Sequence, residues 1–433
     1  MSVKFGTDGV RGAALTELTP ELVARLGAAA VEVLGDGQWL IGRDTRESGP
    51  ELARAVAGGL HAAGGSPVDV GVVPTPALAW ASQRHGLPAA MVTASHNPWH
   101  DNGVKIFAAG GGKLTDDVEQ RIERAMQQHP SVPTHAACDT RSITADYVRH
   151  LVDGQPMLTG LRVVLDCANG AMSEVAPEAF RLLGADVDVI HSQPDGRNIN
   201  HECGATHVHS LAERVVARGA DLGLAFDGDG DRVIAVDHRG VSVDGDRLIA
   251  LAALQLHEQG LLRHDTVVVT VMSNLGFHRA MQAAGISVVT TSVGDRYVLE
   301  ALEAGGFSVG GEQSGHIIYR DLATTGDGLL AGLRLATFVH QHRQPLADLA
   351  DDVMTSYPQV LVNVRVAERH PHAAEELAAE ITTAEQRLDG SGRILVRASG
   401  TEPLIRVMVE ADTDALAAAV ADELAGHVAR RFG

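Results

Sequence analysis

Three aspartates separated by single glycines form the first group of side chains in this sequence that could do chemistry. Asp227, Asp229 and Asp231 occur in the segment AFDGDGDRV, after the apolar run Leu222–Phe226 and before the apolar run Val233–Val236. The glycines let the backbone curl until the three carboxylates converge, and clustered anions repel one another unless a cation neutralises them. Because carboxylate oxygens are hard ligands, the segment predicts a site for Mg²⁺ or Ca²⁺ in preference to zinc.

The aspartate segment does not fit the calcium-binding loop of a helix–loop–helix hand. The sixth position of such a loop would be Arg232 instead of glycine, and the twelfth would be His238 instead of glutamate. Mg²⁺ in proteins commonly keeps a few carboxylates together with a phosphate oxygen, so we predict a Mg²⁺ site with a phosphate-bearing partner. A solvated acidic turn is the alternative interpretation.

A serine, a histidine and a lysine between residues 93 and 105 could take part in group transfer. The run TASHNP places Ser95 beside His96, and the run DNGVK ends at Lys105, one of only three lysines in the chain. Adjacent residues rarely bring a hydroxyl and an imidazole into hydrogen-bond geometry, and the GxSxG motif of many hydrolases is absent at this serine. The segment therefore favours a hydroxyl that accepts a group over a hydrolase triad, with an ordinary turn as the alternative.

Two further loops carry groups suited to polar ligands. The run GGEQSGH, from Gly310 to His316, follows a predicted strand at Phe307–Val309 and suits a polyhydroxyl compound, although a capped turn would have the same composition. The run RASGTEP begins at Arg397 and is followed by Arg406, so two guanidinium groups flank hydroxyls and open backbone N–H groups. These groups predict a phosphate cradle, with surface decoration as the alternative; it is not a Walker loop, because GxxxxGK[ST] is missing. Together the four loops indicate phosphoryl transfer to or from a phosphosugar.

The elements that position these loops recur along the chain. A helix, a terminating glycine and a β-branched strand occur in this order three times, with the glycine at Gly64 or Gly65, at Gly184 and at Gly285. Strands that alternate with such helices predict α/β units with mostly parallel sheets. Whether the three copies reflect a true duplication stays open, because any α/β protein shows helix, glycine and strand in succession.

Beyond His342 the pattern changes to a compact β-α-β-β-α unit. Its predicted elements are a strand at Gln359–Val366, a helix at Pro371–Leu388, strands at Arg393–Arg397 and Leu404–Ala411, and a helix at Thr413–Arg431. The proline-punctuated stretch His129–Ser142 is predicted to be a linker, and Ile143–Val152 a helix that joins domains. We therefore expect three similar α/β domains at residues 1–150, 151–250 and 251–357, followed by a smaller α+β domain at residues 358–433.

The composition argues against several classes of function. The 433 residues carry a formal charge of −20, which disfavours binding to nucleic acid or to an anionic membrane. No run approaches the roughly 18 apolar residues of a membrane helix and no signal peptide is recognisable, so we expect a cytoplasmic protein. Cys138, Cys167 and Cys203 show no CxxC or metal-ligand spacing, so redox chemistry is not expected.

Taken in order along the chain, the motifs resemble one known family. The runs FGTDGVRG, GRDTRESG, TASHNP, DGDGDR, GEQSGH and RASGTEPLIR look like those of the α-D-phosphohexomutase superfamily over essentially the whole chain. The glutamine in GEQSGH and the runs MSNLG and SVGDRYV resemble the phosphoglucosamine mutase branch in particular. The resemblance implies an α/β enzyme of four domains around a central cleft, three of them alike with mixed sheets and the fourth a smaller α+β domain.

The resemblance also implies a role for each matching residue. Ser95 would act only as phosphoserine, and one Mg²⁺ per chain would be held by its phosphate together with Asp227, Asp229 and Asp231. The other implied sets are Ser95, His96, Lys105 and Arg11 for catalysis, with Lys105 or His96 as the acid/base; Arg232, Glu312, Ser314 and His316 for sugar binding; and Arg397, Ser399, Gly400, Thr401 and Arg406 for the distant phosphate.

The implied reaction interconverts glucosamine 6-phosphate and glucosamine 1-phosphate through glucosamine 1,6-bisphosphate, a step toward UDP-N-acetylglucosamine and peptidoglycan precursors. The partner would be a small phosphosugar, and the sequence leaves open whether the chain forms a homodimer. Three alternatives remain: a phosphoglucomutase or phosphomannomutase of the same superfamily, a metal-dependent sugar phosphatase, and a non-catalytic phosphosugar sensor.

Overall fold

A computed structural model describes residues 9–129, 131–399 and 403–433 of the chain. The chain divides into two compact units: one runs to Met272 and resumes at Ile286–Asp352, and the other consists of Ser273–Gly285 and Val353–Gly433. Within the described residues, no helix combines the length and the apolar character needed to cross a membrane.

The first sheet has six strands in the order β1-β5-β4-β2-β3-β6. The elements in chain order are β1 Val10–Ala13, α1 Pro20–Leu34, β2 Gly37–Arg43, α2 Gly49–Ala62, β3 Gly65–Val72, α3 Thr75–His85, β4 Ala89–Val92, β5 Asp101–Phe107, α4 Asp116–Met126 and β6 Asp139–Thr140. Helix α1 begins where Thr19 accepts a hydrogen bond from Leu22 N and Pro20 supplies a helical φ at the first position. Its apolar face packs with α2 in a core that includes the fully buried Trp39.

The second and third sheets have the orders β11-β10-β9-β7-β8 and β13-β12-β14-β15. The elements of the next segment are α5 Thr144–Val152, β7 Arg162–Asp166, α6 Met172–Leu182, β8 Asp186–Ile190, α7 His209–Arg218, β9 Leu222–Phe226, β10 Val233–Asp237 and β11 Ser242–Val243. They are followed by α8 Gly245–Glu258, β12 Thr266–Thr270, α9 Leu275–Ala283, β13 Ser287–Thr291, α10 Asp295–Gly305, β14 Val309–Gly311, β15 Ile317–Tyr319, α11 Gly328–His342 and α12 Leu346–Val353.

The first three sheets share one strand arrangement. Each contains an antiparallel hairpin, and the first strand of that hairpin pairs in parallel with a third strand, which pairs in parallel with a fourth. The three orders are β5-β4-β2-β3, β10-β9-β7-β8 and β15-β14-β12-β13. The sheets are therefore mixed, with parallel strands at the centre and an antiparallel strand beside them. This common arrangement confirms the prediction of three similar α/β domains with mixed sheets.

The fourth sheet is antiparallel and has the order β16-β18-β17. The elements are β16 Gln359–Arg365, α13 Ala373–Glu376, α14 Ala378–Leu388, β17 Arg393–Ala398, β18 Leu404–Glu410 and α15 Asp414–Phe432. The smaller C-terminal α+β unit is thus confirmed, with one correction. The helix predicted at Pro371–Leu388 is two helices, because the buried Leu377 leaves the helical conformation at φ −103° and ψ 14°.

The predicted terminating glycines close their helices. Gly64, Gly184 and Gly285 have φ of +95°, +81° and +74°, in the region that disfavours side chains, and each lies two residues beyond the end of its helix. The structure assigns the first of these positions to Gly64, since Gly65 already begins β3. The joining helix expected at Ile143–Val152 is α5, and the stretch before it contains the two-residue strand β6.

The predicted strand at Phe307–Val309 is shifted. The observed strand, β14, starts at Val309 and includes Gly310 and Gly311, which were expected to be loop residues. A Cβ at Gly311 would lie 2.3 Å from His316 O, so only glycine allows β14 to approach β15 this closely. The domain limits remain a proposal; two of them, at residues 150 and 250, fall within α5 and α8.

Candidate active site

The four loops singled out in the sequence occupy the same place in their sheets. Three of them join the two strands of an antiparallel hairpin: residues 93–100 join β4 to β5, residues 227–232 join β9 to β10, and residues 312–316 join β14 to β15. The fourth follows β17, which pairs with β18 in an antiparallel hairpin. In the first three sheets the loop follows the carboxyl end of a strand with a parallel neighbour, which is where α/β proteins bind ligands.

The loop after β4 places Ser95 with its hydroxyl against an aspartate of another loop. Ser95 has φ +52°, a left-handed conformation that costs a residue with a side chain about 1–2 kcal/mol. Its Oγ donates a 2.6 Å hydrogen bond to Asp227 Oδ2 and lies 3.4 Å from His96 Nδ1. The strained backbone therefore directs the hydroxyl toward the carboxylate, and the adjacent imidazole makes only a long contact.

Asp227, Asp229 and Asp231 converge as predicted. Each offers one carboxylate oxygen within 4.8 Å of the other two, and their exposures are 1%, 0% and 3%. Close approach requires glycine at position 228, where a Cβ would lie 2.7 Å from Ser95 O. Asp229 Oδ1 is buried and accepts no hydrogen bond. An unsatisfied carboxylate oxygen in a buried cluster of three anions fits a divalent cation with hard-ligand preference, so these residues suit Mg²⁺.

Lys105 lies beneath this cluster. It projects from β5, and its Nζ donates hydrogen bonds of 2.9 Å to Asp229 Oδ2 and 3.1 Å to Asp231 Oδ2. Burial raises the pKa of Asp227 well above its usual range, and the charges of Asp231 and Asp229 raise it further. For Asp231, burial is outweighed by Lys105, His316 and Arg232, which hold its pKa well below the usual range. The positively charged side chains of the protein thus stabilise the ionised form of Asp231 more than that of Asp227.

A cleft of about 610 Å³ lies beside the cluster. The residues that line it include six candidates from the sequence: Arg11, His96, Asp231, Arg232, Glu312 and Ser314. Burial lowers the pKa of His96 to about 4, and the positive charges of Arg232 and Arg11 act in the same direction. The cleft therefore combines a neutral imidazole, two guanidinium groups and the carboxylates of Asp231, Asp295 and Glu312.

His316, for which the resemblance implies sugar binding, is buried beside the aspartate cluster, and its role in sugar binding stays a prediction. His316 is 1% exposed, its Nδ1 lies 3.6 Å from Asp231 Oδ1, and its Nε2 accepts a 3.1 Å hydrogen bond from Gly326 N. Burial disfavours the imidazolium, but the carboxylates of Asp295 and Asp231 raise the pKa of His316 overall. The polar contacts of its imidazole among the described residues are with Asp231, Asp295 and Gly326.

The hairpin of β17 and β18 carries two arginines at directly paired positions of neighbouring strands. Arg397 on β17 pairs with Arg406 on β18, and Ser399 is buried immediately after β17. Burial lowers the pKa of Arg397, and the charge of Arg406 lowers it further. Gly400 and Thr401, predicted for the same phosphate cradle, lie outside the described residues. The opposed guanidinium groups are an arrangement that an anion would stabilise.

Some residues that contact the site carried no recognised role in the sequence. Thr75 Oγ1 donates a 2.6 Å hydrogen bond to Asp229 Oδ2, and Asn200 Nδ2 donates to Ser95 O at 2.8 Å. Asp44 and Arg46 belong to the run GRDTRESG, which was noted only as part of the family resemblance. They contact the serine loop from the connection between β2 and α2. Nothing in the sequence points to Thr75 or Asn200, because single polar residues form no pattern.

A second group of possible ligands, Asp166, His191 and Cys203, is satisfied by its own contacts. Asp166 accepts hydrogen bonds from Ala168 N at 2.9 Å and Gly204 N at 3.0 Å and pairs with His191 Nδ1 at 3.1 Å. Burial raises the pKa of the Cys203 thiol to about 12, which disfavours the thiolate that binds metals. The group organises the loops around it.

Comparisons of the sequence with protein families match all four parts of one family. The phosphoglucomutase/phosphomannomutase alpha/beta/alpha domains I, II and III match residues 2–132, 145–240 and 244–357, and the C-terminal domain of the family matches residues 361–427. A phosphoglucosamine mutase of Rhodococcus opacus is 51% identical over 98% of this chain and 99% of its own length. A phosphoglucosamine mutase of Frankia casuarinae is 52% identical over 98% of this chain and 97% of its own length.

Solved structures have the same fold. A phosphoglucomutase/phosphomannomutase family protein of Burkholderia thailandensis has a TM-score of 0.83 at 26% identity, covering 98% of this chain and 97% of its own. The N-acetylphosphoglucosamine mutase of Aspergillus fumigatus, solved in complex with GlcNAc-6P and magnesium, has a TM-score of 0.71 at 20% identity, covering 100% of this chain and 96% of its own. The chain therefore belongs to the phosphoglucomutase/phosphomannomutase family of the α-D-phosphohexomutase superfamily, on its phosphoglucosamine mutase branch.

Proposed function

We propose that the chain is a phosphoglucosamine mutase, an isomerase that interconverts glucosamine 6-phosphate and glucosamine 1-phosphate. The full-length relatives that carry this name are about half identical to it. The observation that carries the chemistry is the contact between Ser95 Oγ and Asp227, which brings an acceptor hydroxyl to a buried cluster suited to Mg²⁺. Three carboxylates and two arginines line the adjoining cleft, so it offers hydrogen-bond acceptors for sugar hydroxyls and positive charge for a phosphate.

The reaction has two transfers that mirror each other. In the first, the bond between Ser95 Oγ and phosphorus breaks, the hydroxyl oxygen at C1 of glucosamine 6-phosphate bonds to that phosphorus, and the hydroxyl proton passes to a base. In the second, the bisphosphate has turned end for end, and Ser95 Oγ recovers the phosphoryl group from the oxygen at C6, which takes up a proton. The net change is an isomerisation with no loss of phosphate.

Asp227, Asp229 and Asp231 would hold Mg²⁺ together with a phosphate oxygen on Ser95. When bound, this ion supplies positive charge to the oxygens of the phosphoryl group, whose transition state is largely metaphosphate-like. Lys105 reaches two of the same carboxylates and acts as a second, fixed positive charge near Ser95. Lys105 and His96 are the two candidates for the group that moves the hydroxyl proton.

Binding and orientation fall to the remaining loops. We assign Glu312 and Ser314 to the sugar hydroxyls and Arg11 and Arg232 to charge neutralisation, because all four line the cleft. The distant phosphate is assigned to Arg397, Ser399, Gly400, Thr401 and Arg406. A cytoplasmic location, a homodimer and the supply of UDP-N-acetylglucosamine stay predictions.

The substrate assignment is tested with three sugars that differ at C2. Product formation and phosphate release are measured with glucosamine, glucose and mannose 6-phosphates after charging the enzyme with a sugar bisphosphate. We expect kcat/KM for the amino sugar to exceed both others by about tenfold or more, the range that one polar contact provides. A preference for a neutral sugar would assign the chain to the phosphoglucomutase or phosphomannomutase activity, and steady phosphate release to a phosphatase.

The role of Ser95 is tested in the same assay. Ser95→Ala should abolish turnover while leaving sugar phosphate binding largely intact, because the cleft-lining residues are retained. Ser66→Ala, at an exposed position in β3, is the matched control and should be fully active. Substantial turnover by Ser95→Ala would contradict the phosphoserine role.

A further inference from the structure

The buried guanidinium group of Arg46 binds the loop that carries Ser95. Arg46 is 1% exposed, and each of its N–H donors is used. The side chain donates to the carbonyl oxygens of Ser95 at 2.9 Å, Asn97 at 2.8 Å and Asp101 at 3.1 Å, and also to Pro98 O. Four carbonyl groups of one loop thus converge on a single side chain.

The remaining donor of Arg46 fixes the guanidinium plane itself. Arg46 Nε donates a 2.9 Å hydrogen bond to Asp44 Oδ2, and Arg46 N donates to Asp44 Oδ1 at 3.0 Å. The same Oδ2 accepts a 2.7 Å hydrogen bond from Thr93 Oγ1, and that hydroxyl oxygen accepts from Ser95 N at 2.9 Å. Asp44 therefore links the guanidinium group to the start of the serine loop.

Asn200 contacts two of these carbonyl groups from a different loop. Its Nδ2 donates to Ser95 O at 2.8 Å and to Asn97 O at 3.0 Å, the same two oxygens that accept from Arg46. Asn200 itself has φ +56°, and its backbone N–H is bonded to Ala168 O. Ser95 O thus accepts one hydrogen bond from the charged Arg46 and one from the neutral Asn200, and these two donors lie in different loops.

We propose that Arg46 and Asn200 are positioning residues that hold Ser95 in its left-handed conformation, so that Oγ stays aimed at Asp227 whether or not the serine carries a phosphoryl group. This inference rests on the proposed function for its kinetic consequence, but its structural consequence is independent of the reaction. A serine that both gives and recovers a group must return to one geometry in each half of the cycle. The planar guanidinium group of Arg46 binds several carbonyl oxygens of the loop at once, so it keeps the backbone at Ser95 in one conformation.

Neither Arg46 nor Asn200 lines the cleft in the described part of the chain. The proposal therefore predicts that changing either residue lowers kcat and leaves KM nearly unchanged. Arg46→Lys keeps the positive charge beside Asp44 but replaces the fork with a point donor. Asn200→Gly removes the two side-chain hydrogen bonds and tolerates the positive φ. In both variants we expect kcat to fall about tenfold or more while KM for glucosamine 6-phosphate stays within about twofold.

Two matched controls test whether the effect comes from the hydrogen bonds that Arg46 and Asn200 donate to the serine loop, which we call the clamp. Glu202→Gly also introduces glycine, at an exposed residue of the same loop as Asn200 with φ +51°. Arg43→Lys makes the same replacement on the neighbouring strand β2, where Arg43 pairs with Asp69. Both controls should keep kcat within about twofold of the parent enzyme.

Hydrogen exchange of the serine loop provides a readout that does not need turnover. Asn97 N and Asp101 N are bonded within the loop, to Ala94 O and Pro98 O, so peptides covering residues 94–101 report its opening. We expect exchange in these peptides to be about tenfold faster in Arg46→Lys and Asn200→Gly, and unchanged in the controls. Peptides from α8 should exchange at the parent rate in all four proteins.

The outcomes are distinguishable. Folded Arg46→Lys and Asn200→Gly proteins with parental loop exchange and parental kcat would overturn the proposal, as would a loss in KM alone. If Arg46→Lys fails to fold, the comparison of Asn200→Gly with Glu202→Gly decides. If the parent enzyme does not turn over any sugar phosphate, the proposed function fails, and the exchange measurement still decides whether the clamp exists.

Discussion

Ser95 Oγ donates a 2.6 Å hydrogen bond to Asp227 Oδ2, although 132 residues separate them in the chain. Ser95 lies in the connection between β4 and β5, and Asp227 begins the connection between β9 and β10. Two hairpin loops of two different sheets therefore meet at one hydrogen bond. This contact places the hydroxyl that would carry the phosphoryl group directly on the predicted Mg²⁺ site.

Asp229→Asn should weaken Mg²⁺ binding and turnover together. The change removes one of three clustered charges and leaves Lys105 bound to a neutral amide oxygen, so we expect Mg²⁺ affinity to fall about tenfold or more, the equivalent of about 1.4 kcal/mol. Calorimetric titration with Mg²⁺ and the dependence of kcat on Mg²⁺ concentration measure the effect. Asp188→Asn, at a surface aspartate that pairs with Arg214, is the control. Parental Mg²⁺ affinity in Asp229→Asn would refute the ligand assignment.

Glu312→Gln should mainly weaken sugar binding. Glu312 lines the cleft, and its Oε1 already accepts a 3.1 Å hydrogen bond from Gly294 N, which holds the carboxylate in place. A hydrogen bond to a charged group contributes about 1.5–3 kcal/mol, so KM should rise about tenfold or more with little change in thermal stability. Steady-state kinetics provide the measurement, with Glu303→Gln on the surface as the control. An unchanged KM would remove Glu312 from the sugar site.

Arg406→Gln should weaken phosphate binding without lowering stability. Arg406 stands opposite Arg397 in the hairpin of β17 and β18, where burial and the neighbouring charge lower the pKa of Arg397. Removing one guanidinium relieves like-charge repulsion but also removes a phosphate ligand, so KM should rise about tenfold while the unfolding temperature stays level or increases. Arg430→Gln, at an exposed position in α15, is the control. An unchanged KM would exclude Arg406 from the cradle.

Asp327→Asn should change how stability depends on pH. Burial raises the pKa of Asp327 to about 6 in the folded protein, although Leu330 N and Tyr147 Oη donate hydrogen bonds to it. Because the folded pKa exceeds the unfolded value of about 3.9, the group stabilises the fold most below pH 4, and this contribution is lost as pH rises through 6.

Asparagine does not titrate, so the unfolding free energy of the parent protein should fall relative to that of Asp327→Asn by about 1 kcal/mol between pH 5 and pH 8. Urea unfolding of both proteins at the two pH values measures this difference. The phenol of Tyr147 does not titrate in this range, since burial and the charge of Asp327 raise its pKa well above 10. A difference that is constant with pH would show that Asp327 titrates normally.

The sequence predicted the loops well because each carries residue types with a direct chemical meaning. Asp227, Asp229 and Asp231 signal a cation site by charge alone, and the glycines that end helices, such as Gly184, signal a positive φ. The strand β14 was misplaced by two residues, because Gly310 and Gly311 have low strand propensity and pair only through contacts with β12 and β15.

The support beneath the site was not predictable in the same way. Arg46 and Asn200 act on backbone carbonyl groups, which every residue has, so no side-chain pattern marks their targets. His316 was implied in the sugar site only by the resemblance, and its contact with Asp231 had no signal in the sequence. Contacts between distant loops decide both cases, and a single sequence does not contain that information.

The most direct test of the central claim follows one phosphoryl group. The enzyme is charged with ³²P on Ser95, freed of excess label and mixed with unlabelled glucosamine 6-phosphate in a single-turnover experiment. We predict that the label leaves the protein and appears first in glucosamine 1,6-bisphosphate and then in the monophosphates, with none as inorganic phosphate. Label that stays on the protein, or that is released only as inorganic phosphate, would contradict the account.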